Sequence, residues 1–187
     1  MRSPSPMIWI LGVVFLVMGQ ASANSATSKN QQSTPPGEQI ALSGQMVEKV
    51  IQVLPKLISL TKSRIDTQSA NPDNKAEKKQ QNADFTTALQ ALSSQHGFKD
   101  MATMQRTVKA TMLTASFLKS GRTLKQVEEK LQKTRELVER NDKMTAKQKS
   151  SLLQRMQLQI SRVIPSSENI AIVKPFYPRI LAITGKQ

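Results

Sequence analysis

The chain has no cysteine and one histidine, His96, in 187 residues. Without thiols there is no disulfide framework, no thiolate nucleophile and no cysteine-ligated zinc or iron–sulfur cluster. A lone imidazole leaves no two-histidine metal site within one chain. It also leaves one possible base for a serine triad, and no G-x-S-x-G elbow accompanies it. The seven glycines stand singly at turn positions, so no glycine-rich phosphate loop exists. Aromatic residues make up only 4% of the chain. Alternating β-branched runs and Asn-Gly or Asp-Gly hairpin turns are missing, so no strand signal competes with helix. Carboxylates are scarce as well, 13 against 27 Lys and Arg.

Long apolar stretches are limited to Met7–Met18, broken only by Gly12. Twelve residues fall short of the about 20 needed to cross a hydrocarbon core. With Arg2 before it and Ala21-Ser22-Ala23 after it, this run reads as a secretory signal over residues 1–23, cleaved after Ala23. No cysteine follows, which excludes lipoprotein processing. Export to a bacterial periplasm, or secretion, is therefore expected. Residues 24–37, small and polar with a Pro-Pro-Gly end, have nothing to bury and read as a disordered leader.

Residues 38–187 read as a single all-α domain, an antiparallel bundle of four to five helices. Ile40, Val47, Val50, Ile51, Leu54, Leu57, Ile58 and Ile65 recur at three- and four-residue steps, predicting a helix over about 38–65, kinked or restarted at Pro55. Asp66–Asn74 reads as a turn-rich linker. Asn74 and Glu77 form a capping-box pattern opening a helix over 75–95 with Phe85, Ala88, Leu89 and Leu92 inward and Gly97 as its stop. Asp100 caps a third over 101–119, with Met101, Met104, Val108, Met112, Ala115 and Leu118 inward. Thr123 with Gln126, and Thr145 with Gln148, open helices over 124–140 and 146–164. Their apolar stripes are Leu124, Val127, Leu131, Leu137 and Val138, then Leu152, Leu153, Met156, Ile160, Val163 and Ile164. Leu131 is expected in the core. The tail, 165–187, holds Pro175 and Pro178, which prevent a continuous helix. It reads as an irregular apolar segment packed along the bundle.

The exported part, 24–187, carries net +13, distributed as +4 over 24–118, +6 over 119–155 and +3 over 156–187. Each of these stretches contains acids as well as bases. No aromatic falls between Lys119 and Arg155, so the most basic stretch has nothing on which to stack a base, and nucleic acid is excluded as a partner. Lys119, Arg122, Lys125, Lys130 and Lys133, with Arg140, Lys143, Lys147 and Lys149 around the turn between the fourth and fifth helices, form the candidate contact surface for anions.

Other chemistry is thinly supported. His96 with Met101 and Met104 is a ligand set suited to Cu(I), but the methionines lie on a stripe that already serves as core, so no metal and no cofactor is assigned. Glu128, Glu129, Glu136 and Glu139 are interleaved with Lys and Arg on a polar helix face, not paired in an apolar setting as acid catalysis requires. The expected function is a non-enzymatic binding protein of the envelope. Its partner is a protein or an anionic envelope component, with at most peripheral membrane association. The alternatives are a carrier of a small apolar ligand and a Met/His copper binder.

Overall fold

The computed structural model describes residues 39–70 and 75–185. The export signal, its Ala21 and Ala23 cleavage pair and the polar leader lie outside the described residues. The chain is an all-α bundle: α1 (Gly44–Ala70), α2 (Lys75–Gln95), α3 (Met101–Lys119), α4 (Leu124–Glu139), α5 (Ala146–Val163), α6 (Ser167–Val173), a 3-10 turn (Lys174–Phe176) and α7 (Tyr177–Thr184). No strand occurs among the described residues.

α3 is the central helix. It packs against α1, α2, α6 and α7, and its buried residues include Met104, Thr107, Val108, Thr111, Met112, Thr114 and Ala115. Two of its buried threonines, Thr107 and Thr114, satisfy their hydroxyls by folding back on their own helix. Thr107 Oγ1 donates to the Thr103 carbonyl and Thr114 Oγ1 to the Ala110 carbonyl, both at 2.8 Å. Around α3 the core gathers Val47, Val50, Val53, Leu54 and Leu57 of α1, Phe85, Leu89 and Leu92 of α2, Val173 of α6 and Ile180 of α7. Asp100 caps α3 through its carboxylate, which accepts the Thr103 N–H at 2.6 Å. Gly97, at φ +65°, closes α2 in the left-handed region that glycine enters without steric cost.

The structure corrects four expectations. First, α1 begins at Gly44, not at 38, because residues 39–43 are held outside the helix. Ser43 caps it instead, its hydroxyl accepting the Met46 N–H at 3.3 Å. Second, the helix does not restart at Pro55 but continues to Ala70, into the stretch read as a linker. Pro55 is exposed, and on the solvent side water can satisfy a carbonyl that loses its donor. Thr67, a turn former by composition, bonds back to the Ser63 carbonyl at 2.7 Å and so fits the helix.

Third, the C-terminal segment is helical rather than irregular. Pro175 and Pro178 occupy the first turns of the 3-10 helix and of α7. A proline there removes no hydrogen bond, because the first N–H groups of a helix have no intrahelical acceptor. Fourth, the α4 and α5 stripes are absent from the core cluster. Leu137 is 71% and Val163 60% exposed, and of the α4 stripe only Val138 is buried. Leu131 is half-buried.

Candidate anion-binding site

α4 and α5 form a hairpin whose substantial packing is with each other. Both helices start on reciprocal capping boxes, Thr123 with Gln126 and Thr145 with Gln148. Between them the chain turns at Asn141, whose carbonyl accepts the Met144 N–H at 3.2 Å and whose side chain accepts the Lys143 N–H at 3.0 Å. Cross-links show the antiparallel register. Lys149 Nζ donates to the Glu139 carbonyl at 2.6 Å, ten residues apart, and Arg135 donates to Gln157, 22 residues apart.

Two helices cover only one side of each other, so the hairpin seam stays half-open. Leu124, Val127, Leu131, Leu152, Leu153, Met156, Ile160 and Ile164 are all half-buried. A groove of about 680 Å³ follows part of that seam. Leu124, Val127, Leu131, Ile160 and Ile164 supply its apolar lining, while Glu128, Glu129, Glu136, Lys133 and Arg135 supply charges of both signs.

The structure divides the predicted cationic patch. Lys119, Arg122 and Lys125 stand at the base of the hairpin, Lys130 and Lys133 along α4, and Arg140, Lys143, Lys147 and Lys149 at the tip. All are exposed except Lys149, which is half-buried and bonded to the Glu139 carbonyl. At the helical rise, the fifteen residues from Lys125 to Arg140 span about 22 Å. That exceeds the screening length of about 8–10 Å in physiological salt, so base and tip act on an anion separately.

The tip has its own groove, about 430 Å³, lined by Lys143, Met144, Lys147, Gln148, Ser151, Leu152 and Arg155. Arg155 belongs to this site and was missed in the sequence, although it repeats Lys147 at the i+8 position of the same helix. No carboxylate lines the groove, and none occurs in the sequence between Asp142 and Glu168, a stretch that holds Lys143, Lys147, Lys149, Arg155 and Arg162.

The other candidates are placed apart from this surface. Met104 is wholly buried in the core, where its thioether packs against apolar neighbours. Met101 is half-buried, and so is His96, whose Nε2 is enclosed without a hydrogen-bond partner. Among the described residues no three His, Cys, Asp or Glu gather to hold a metal. Glu128, Glu129 and Glu139 are exposed and Glu136 half-buried along α4, where Glu136 accepts the Gln132 amide at 3.2 Å. No described helix is long and apolar enough to cross a membrane. The chain matches no protein-family model, no curated protein and no solved structure.

Proposed function

We propose that the protein is an exported, non-enzymatic interaction protein that uses the α4–α5 hairpin to contact anionic components of a cell envelope. The observation that carries this reading is the separation of labour in the fold. One part of the chain builds the core around α3, and the hairpin, which adds nothing to that core, presents exposed cations instead. A helical pair that is not needed to bury the core is free to be shaped by a partner. Its charge favours an anionic one.

The alternative of a small apolar ligand carrier has one observation in its favour, the groove along the hairpin seam. That groove is open and rimmed by Glu128, Glu129, Lys133, Arg135 and Glu136, whereas carrier sites enclose most of their ligand in apolar walls. The anionic-partner reading is therefore preferred. Co-sedimentation of residues 24–187 with anionic and neutral vesicles, at low and high salt, tests it. Binding to anionic vesicles that salt abolishes is expected. Equal binding to both lipids, or none to either, overturns it.

A further inference from the structure

The groove at the hairpin tip differs from the rest of the cationic surface in three respects. The first is charge purity. Lys143, Lys147 and Arg155 line it without a carboxylate, and Lys143 and Lys147 form no ion pair among the described residues. The neighbouring acids, Glu139 and Asp142, are not in its lining. The seam groove, by contrast, mixes Glu128, Glu129 and Glu136 with Lys133 and Arg135. The second is alignment. Lys147, Ser151 and Arg155 follow one another at four-residue steps on one face of α5, where side chains so spaced stand above one another, and Lys143 joins them from the turn before the helix. Arg155 is steadied there, its Nε donating to the Ser151 carbonyl at 3.3 Å and its Nη2 to the Ser151 hydroxyl at 3.2 Å.

The third is the apolar component beside the cations. Met144, in the turn before α5, and Leu152, on the helix itself, are half-buried and line the same groove. A free inorganic anion gains nothing from them. The lining sets positive charge beside apolar surface, which is the composition that membrane-interfacial helices present to anionic lipid.

We propose that the tip groove of Lys143, Lys147, Ser151 and Arg155, with Met144 and Leu152 beside it, is a docking site for the phosphate headgroups of an anionic lipid surface. The hairpin meets that surface with the groove-bearing side of α5. The three cations contact lipid phosphates, and Met144 and Leu152 enter the interface between headgroups and acyl chains. The base cations Arg122 and Lys125, at the other end of the hairpin, take no part. This inference rests on the anionic-partner reading and narrows it to one site and one ligand class.

The test uses residues 24–187 with phosphatidylcholine vesicles, with and without phosphatidylglycerol. One variant combines Lys143→Gln, Lys147→Gln and Arg155→Gln. A second, of equal charge change, combines Lys119→Gln, Arg122→Gln and Lys125→Gln. Far-UV circular dichroism confirms that both fold as the parent does. The tip variant is expected to lose about a hundredfold in affinity for phosphatidylglycerol vesicles at low salt, at roughly 1 kcal/mol for each basic residue near the surface, and the base variant only a few-fold.

Met144→Trp supplies a second reading that does not depend on charge. The sequence has one tryptophan, Trp9, so the probe is unique in residues 24–187. Its emission should shift to the blue on phosphatidylglycerol vesicles and stay unchanged on phosphatidylcholine. Inorganic phosphate at matched ionic strength should leave vesicle binding intact.

Equal losses in the two triple variants would overturn the tip site while leaving the anionic-partner reading standing. Displacement by inorganic phosphate, or an unshifted tryptophan on bound vesicles, would overturn the lipid assignment in favour of a free anion. Failure of the parent to bind phosphatidylglycerol vesicles would overturn both.

Discussion

The side chain of Asn169 holds the backbone of Leu42. Its Oδ1 accepts the Leu42 N–H at 2.9 Å, and its Nδ2 donates to the Ile40 carbonyl at 3.0 Å. A carboxamide carries one acceptor and one donor group in the same arrangement as a peptide unit, so a single residue satisfies two backbone groups of the segment before α1. Gln39 adds a further tie, donating from Nε2 to the Ile164 carbonyl at 2.5 Å. The chain ahead of α1 is thereby fastened to the segment where α5 gives way to α6. Leu42, held in this way, is buried in the core.

Asn169→Ala should therefore destabilise the protein by about 1–3 kcal/mol, since the buried Leu42 N–H and the half-buried Ile40 carbonyl lose their partner. Asn169→Asp keeps the acceptor for Leu42 but faces the Ile40 carbonyl with an oxygen, and it should cost at least as much. Urea unfolding followed by circular dichroism measures both. A loss below about 0.5 kcal/mol, within the range of an ordinary surface substitution, would show that the strap contributes little.

Leucines on the two kinds of surface should respond differently. Leu89→Ala removes a wholly buried core side chain and should cost about 2–5 kcal/mol. Leu131→Ala, on the half-open hairpin seam, should cost less than half as much. Equal values would mean that the hairpin seam is as well covered as the core.

Amide hydrogen exchange should rank the elements by packing. The amides of α3, enclosed by α1, α2, α6 and α7, should exchange slowest. Those of α4 and α5 should exchange by local opening well before global unfolding, because their amphipathic faces bury little. Protection of the hairpin equal to that of α3 would contradict its separation from the core.

Asp100 should give stability a defined acid limb. The Thr103 N–H, followed by the Thr103 hydroxyl, holds its carboxyl below the usual aspartate range. A group whose folded value is depressed stabilises the native state above its unfolded value, and that contribution disappears as pH falls through the folded value. Asp100→Ala should cost about 0.5–2 kcal/mol at neutral pH, the usual worth of an N-cap, and progressively less in acid. Asp100→Asn retains a capping acceptor and should flatten that part of the profile. The check is a series of thermal or urea transitions from neutral pH into acid for the three proteins.

Helix starts were legible because capping is settled within one turn. Asp100 with Thr103, Thr123 with Gln126 and Thr145 with Gln148 all act as their spacing indicates. The apolar stripes of α1, α2 and α3 were legible for a related reason. A helix with Val47, Val50, Leu54 and Leu57, or Met104, Val108 and Met112, on one side must bury that side. The cationic residues of the tip could be named, apart from Arg155, which only the folded groove joins to Lys143 and Lys147.

The sequence by itself determined that five long segments become helices, that Asp100, Thr123 and Thr145 open three of them and which face of each is apolar, since these depend on residues within a few positions of one another. Tertiary structure alone decided which apolar faces are covered. The stripes of α4 and α5 have the same periodicity as those of the core, yet they stand outside the core cluster around α3. It also decided that Asn169 would hold Leu42, 127 residues away in the chain, and that Val173 and Ile180, on either side of two prolines, would close the core beside α3. Periodicity records that a face needs burial. What buries it is set by elements far off in sequence, and no local pattern encodes their arrival.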